Sequence, residues 1–178
     1  SFVARGFPTE RILVIPRPIN IQFFHPSPRP RPKDRPPTFI CTGALNFRKG
    51  GVYLLEAFDQ LHRRLPDARF LLTDAVADSL KPWVAQYRHL PIDWAPMIPP
   101  GQLAERLRSA DVFMLLFLEE GMARTGVEAL ACGLPVVVTK NTGVNDLVIP
   151  GVNGEVVPLR DPGAAAEAAF GLWERIRQ

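Results

Sequence analysis

Two pairs of charged residues have the types and spacing to do chemistry. Arg48 and Lys49 are adjacent and run into Gly50 and Gly51. Cations at a helix start do not help the helix, because its dipole disfavours them there. They suit an anion held jointly by the side chains and the free N–H groups of the helix N-terminus, a diphosphate above all. The neighbouring glycines let such a ligand approach the backbone. The second pair is Glu120 and Glu128, with seven residues between them. A carboxylate accepts two hydrogen bonds from a vicinal diol, the recognition that a ribose or hexose needs. Taken singly, each glutamate reads as a solvated surface residue. The spacing matters because a strand–loop–helix path of that length can bring both carboxylates to one cleft.

The elements that must position these groups alternate along the chain. Residues 38–43 read as a buried strand. Residues 49–65 read as a helix, with Leu54, Phe58, Leu61 and Leu65 on one stripe. A strand at 69–73 follows, then a helix over 79–89 with Asp78 as its N-cap and Pro82 in its first turn. Next come a strand at 92–95, a helix at 100–109 with Leu103 and Leu107 inward, and a strand at 112–117 apolar on both faces. A helix over 124–132 closes at Gly133, which can take the left-handed conformation. Strands follow at 135–139 and 154–158, and Asp161 caps a last helix that starts at Pro162. Strands apolar on both faces need cover on both sides, and single helices between them act as crossovers. The pattern predicts an α/β fold, a Rossmann-like three-layer α/β/α parallel sheet. Ligands of such sheets sit beyond the strand carboxyl ends, which singles out the loops after Gly43, Phe117 and Thr139.

The first 37 residues are different. Residues 12–15 carry one short strand signal, ended by Pro16, and a proline-rich stretch runs over 26–37. Its cations, Arg29, Arg31, Lys33 and Arg35, alternate with prolines and lack apolar side chains to bury, so they read as an extended, solvated linker. Residues 1–37 are therefore expected to be a hinge and linker, and 38–178 the folded domain.

Composition narrows the classes further. The chain has 178 residues, a net charge of +3 and 47% hydrophobic residues, enough for one domain with its own core. The longest apolar run, 112–118, is too short to cross a bilayer, and the start lacks a signal-peptide layout. Cys41 and Cys132 sit inside apolar patterns and read as buried free thiols, which fits a reducing, cytoplasmic setting. There is no D-x-D pair to hold a cation, no G-x-G-x-x-G after the first strand, no G-x4-G-K-[ST] and no zinc-ligand spacing. No metal is expected. Nucleic acid is not an expected partner, since the proline–arginine run has no interleaved aromatics.

The stretch 120–138, reading Glu-Gly and then Glu-Ala-Leu-Ala-Cys-Gly-Leu-Pro-Val-Val-Val, resembles the E-x7-E signature of retaining GT-B-fold glycosyltransferases, family 4 in particular. Arg48-Lys49-Gly50 resembles that family's phosphate-binding motif. Residues 110–113, 143–148, 151–154 and the hinge at 15–20 resemble further segments in the family's order. The resemblance implies one half of a GT-B fold, the half that binds a nucleoside-diphosphate sugar without a metal. Glu128 would hold the ribose hydroxyls and Glu120 would lie near the donor sugar. The N–H groups of Gly121, Met122 and Ala123 would meet sugar hydroxyls. Arg48 and Lys49 would neutralise the leaving diphosphate, with Gly43 and Thr125 beside it. The sequence departs from the pattern at Ala44, where Arg is common, and at Met122-Ala123, where Phe-Gly is usual. The resemblance also implies a partner, an N-terminal domain that binds the acceptor. None of its repeats is present in this sequence, so the chain alone is expected to transfer little. Peripheral membrane association, common in the family, is compatible with it. The same pocket would also serve a module that binds a nucleotide sugar, or a partner domain, without catalysing transfer.

Overall fold

A computed structural model describes residues 2–13, 15, 18–28, 32 and 34–178. Six strands form one sheet: β1 (Thr38–Thr42), β2 (Arg69–Thr73), β3 (Ile92–Ala95), β4 (Val112–Leu115), β5 (Val136–Thr139) and β6 (Gly154–Val157). The helices between and after them are α1 (Gly51–Arg64), α2 (Lys81–Gln86), α3 (Pro100–Ser109), α4 (Arg124–Ala131) and α5 (Pro162–Arg177). The strand order is β3-β2-β1-β4-β5-β6, and every pairing is parallel. The chain therefore winds outward from β1 in one direction, then returns and winds outward from β4 in the other. A crevice at the carboxyl ends of those two strands is the physical consequence, since their exit loops diverge to opposite sides.

The period of two along each strand sorts its side chains into two cores. Phe39 and Cys41 of β1, Val112 and Met114 of β4, and Val137 of β5 face α1 and α5. Ile40, Phe113, Leu115, Val136 and Val138 face the other way, toward α3 and α4. The stripe on α1 buries Leu54, Phe58 and Leu61, and Phe58 stacks on Phe70 of β2 at 4.2 Å between ring centroids. The Arg64 guanidinium lies over the Phe170 ring at 3.4 Å and pins α1 to α5. Both cysteines are buried and in no disulfide. Asp161 caps α5, its Oδ1 accepting from the Ala164 N–H at 2.9 Å.

Three local expectations are corrected. Asp78 does not cap a helix over 79–89. A 3₁₀ turn begins there, Ala77 is its N-cap residue, and the Asp78 carboxylate pairs with Lys81 at 2.6 Å. That hydrogen bond and charge lower the Asp78 carboxyl below its ordinary value. The helical segment proper is short, Lys81–Gln86, and ends at Tyr87. In the 12–15 run, Ile12, Leu13 and Ile15 belong to no strand, and Leu13 and Ile15 are exposed; Val14 lies outside the described residues. The edge strands of the sheet are β3 and β6, and the described residues of the run pair with neither. Of the proline-rich cations, Arg29, Arg31 and Lys33 lie outside the described residues. Arg35 is folded in, bonded to Asp111 at the N-terminal end of β4.

Candidate functional site

The loop from β1 to α1 is drawn against the exit of β4. Gly50, left-handed at φ 65°, is the reason it can come so close: a Cβ there would stand 1.9 Å from the Leu116 carbonyl oxygen. The Leu118 N–H donates to the Arg48 carbonyl at 2.9 Å, and the Lys49 N–H donates to Asn46 Oδ1 at 2.8 Å. On the far side, Gly121 is locked to the β5 exit, its carbonyl accepting from the Gly143 N–H, while the Glu120 N–H donates to the Asn141 carbonyl at 3.2 Å. Three loops, those after β1, β4 and β5, thus meet over the sheet.

The expected residues fall into two adjoining groups. In the first, the Arg48 guanidinium donates to Glu120 Oε2 at 3.0 Å and to the Glu119 carbonyl at 3.1 Å. This pair is half-exposed, so its own electrostatic gain is modest. The second group surrounds Gly43. A Cβ on Gly43 would lie 3.2 Å from Lys49 Nζ and 4.0 Å from Thr125 Cγ2. Lys49 also sits over the Phe117 ring, 5.2 Å from its centroid. Its charge opposes, without cancelling, the burial that pushes the Cys41 thiol up to about 12.

A cleft of about 430 Å³ opens beside Gly43 at the switch point. Gly43, Thr125 and Glu128 line it, whereas Arg48, Lys49, Glu120, Gly121, Met122 and Ala123 are not among its lining residues. Glu128 is 4% exposed, and its Oε1 takes the Arg124 Nε at 3.1 Å. Ala123 turns its methyl into the second core, Gly121 is exposed, and Met122 is half-buried. At α4, Ala123 provides no side-chain cap; the Gly126 N–H donates to the Ala123 carbonyl at 3.1 Å, which leaves the N–H groups of Arg124 and Thr125 at the helix start.

Several lining residues were not singled out from the sequence. Arg124 is one. Thr73 and Asp74 at the end of β2, and Met97 and Ile98 after β3, are others. Pro18, Ile19, Asn20, Phe23 and Phe24 form a further wall, and Phe24 is buried in the second core. The usable signal was positional: Asp74 directly follows a strand, as a ligand-binding loop residue of this architecture should. It holds φ at 81° with its Oδ1 accepting from the Ala75 N–H at 2.7 Å, a conformation that carries about 1 kcal/mol or more of strain for a side chain. Among the described residues, no group of three or more His, Cys, Asp or Glu could hold a metal ion. Nor is any helix long and apolar enough to cross a membrane.

A doubly wound parallel sheet with a cleft and a buried carboxylate at its switch point defines an α/β domain of the Rossmann type. Residues 26–170 match the family described as glycosyl transferases group 1, and the chain belongs to that family. The D-inositol 3-phosphate glycosyltransferase of Paenarthrobacter aurescens is 27% identical, over 97% of this chain and 45% of its own length. The GDP-mannose-dependent alpha-(1-6)-phosphatidylinositol monomannoside mannosyltransferase of Mycolicibacterium smegmatis is 26% identical, over 96% and 49%. The chain spans about half the length of these curated relatives. Among solved structures, the C-terminal domain of the group 1 protein LpcC from Francisella tularensis superposes with a TM-score of 0.75 at 17% identity, covering 90% of this chain and 91% of that one. Anabaena HepE, solved in complex with UDP and glucose, superposes with a TM-score of 0.76 at 19% identity, over 99% and 53%. The fold is thus that of a GT-B glycosyltransferase domain.

Proposed function

We propose that this chain is the donor-binding half of a retaining glycosyltransferase and that the 430 Å³ cleft takes the nucleoside end of a nucleoside-diphosphate sugar. The carrying observation is that Gly43, with Lys49 and Thr125 beside it, lines one cleft with Glu128 at the switch point. Glu128 accepts the two ribose hydroxyls. The diphosphate lies over Gly43, against the uncapped start of α4, with Lys49 and Thr125 beside it. This leads the donor sugar out along the flank, toward Glu120, Arg48 and the N–H groups of Gly121, Met122 and Ala123.

The chemistry follows from where charge develops. As the bond between the sugar carbon and the phosphate oxygen breaks, its electron pair goes to the diphosphate. Lys49, Arg48 and the helix N–H groups stabilise that charge, and one such contact is worth on the order of 2.7–4 kcal/mol in the barrier. No metal is required, because the cations do the work of neutralisation. The acceptor comes from an N-terminal domain, in keeping with relatives about twice as long.

Calorimetry with UDP, GDP and pyrophosphate tests the reading. Millimolar or tighter binding of a nucleoside diphosphate is expected. Glu128→Ala should weaken it by about 10-fold to 100-fold and leave pyrophosphate unchanged. Silence toward both nucleotides at millimolar concentration, or an equal loss for nucleotide and pyrophosphate, would overturn it.

A further inference from the structure

The buried carboxylate of the cleft comes with a cation at an unfavourable place on its helix. Arg124 is the first residue of α4, where the helix dipole disfavours positive charge. Glu128, one turn on, is almost fully buried, and burial disfavours its charged form unless a cation meets it. The 3.1 Å contact between Arg124 Nε and Glu128 Oε1 answers both problems at once.

Other charged groups also stand near the cleft. Lys49 sits by Gly43 and over the Phe117 ring, and the Asp74 carboxylate takes its own neighbour's N–H. On α3, which packs against α4, Arg106 pairs with Asp93, Arg108 donates to the Phe23 carbonyl, and Glu105 is exposed. Asp146, in the turn against α4, is exposed as well.

We infer that Arg124 is a positioning residue of the donor site: it holds Glu128 ionised and in one orientation, so that the carboxylate can accept a vicinal diol. Arg124 itself adds no direct ligand contact of weight. The inference rests on the donor-site reading above. It goes further by assigning a role to a residue that lines the cleft with its side chain 60% exposed and would otherwise be taken for a second phosphate cation.

The test is a double-mutant cycle read by calorimetry, using whichever of UDP or GDP the parent chain binds, with pyrophosphate alongside. The variants are Arg124→Met, Arg124→Lys, Glu128→Gln and the Arg124→Met/Glu128→Gln double. The double variant leaves no lone charge buried, so it keeps the cycle readable even if Arg124→Met folds poorly; circular dichroism checks each fold. Arg124→Met is expected to weaken nucleotide binding about tenfold, and Arg124→Lys to restore most of it. In the Glu128→Gln background the same replacement should cost less than about twofold. Pyrophosphate binding should not change. An equal loss in both backgrounds would mean that Arg124 touches the ligand directly, and no loss in either would mean that it serves the helix alone; both overturn the inference. A parent chain that binds neither nucleotide would instead sink the donor-site reading on which it rests.

Discussion

Replacing Gly50 by alanine should damage fold and site together. Gly50 is held at φ 65°, a conformation that costs an L residue about 1–2 kcal/mol. The added Cβ would also meet the Leu116 carbonyl oxygen at 1.9 Å and its carbon at 2.7 Å, against a working minimum of 3.0 Å. The obstacle is backbone at the exit of a central strand, so relief requires the β1 loop to lift by about 1 Å. Overpacking of that kind costs about 1–3 kcal/mol. The expected loss is therefore about 2–5 kcal/mol, a large share of the roughly 5–15 kcal/mol that holds a domain together. Lifting the loop also stretches the 2.9 Å bond from the Leu118 N–H to the Arg48 carbonyl and draws Arg48 away from Glu120. Nucleotide affinity should fall even where the variant remains folded. Urea denaturation followed by circular dichroism gives the stability, with Gly121→Ala as the control. A Cβ on Gly121 meets nothing within 4 Å, so that variant should stay within about 0.5 kcal/mol of the parent. If Gly50→Ala costs less than about 1 kcal/mol, the close approach of the β1 loop to β4 is wrong, and with it the positions of Arg48 and Lys49.

The buried Cys41 thiol makes the fold sensitive to alkali. Its folded value, about 12, lies above the ordinary 9.0, so the unfolded chain ionises first and the contribution is intact below pH 9. Between pH 9 and 12 stability should fall by about 1.4 kcal/mol per pH unit. Denaturation at pH 8 and pH 10 should show that extra loss in the parent and not in Cys41→Ala; identical pH dependence would refute it. Nucleotide binding should survive exhaustive chelation, and a strict magnesium requirement in calorimetry would overturn the metal-free reading.

The sequence by itself determined the layer architecture, because the evidence for it is local. Two-faced apolar strands such as Val136–Thr139, and the Leu54, Phe58 and Leu61 stripe, need cover in known directions whatever the rest of the chain does. The E-x7-E spacing and the Arg48-Lys49-Gly50 run were likewise legible, since both lie within one loop and the start of one helix. Local reading failed where a partner decides. The described residues of the apolar 12–15 run pair with no strand of the sheet, and Asp78 found Lys81 in place of a helix N–H. Only the tertiary structure brought Gly43, Thr125 and Glu128 to one cleft with Lys49 beside Gly43, placed Asp74 and Phe24 around it, and set Arg48 against Glu120. Those relations depend on strand order. Placing β4 next to β1 makes neighbours of residues some seventy positions apart, and hydrophobic periodicity, which fixes the face a residue takes, carries no information about which strand lies alongside.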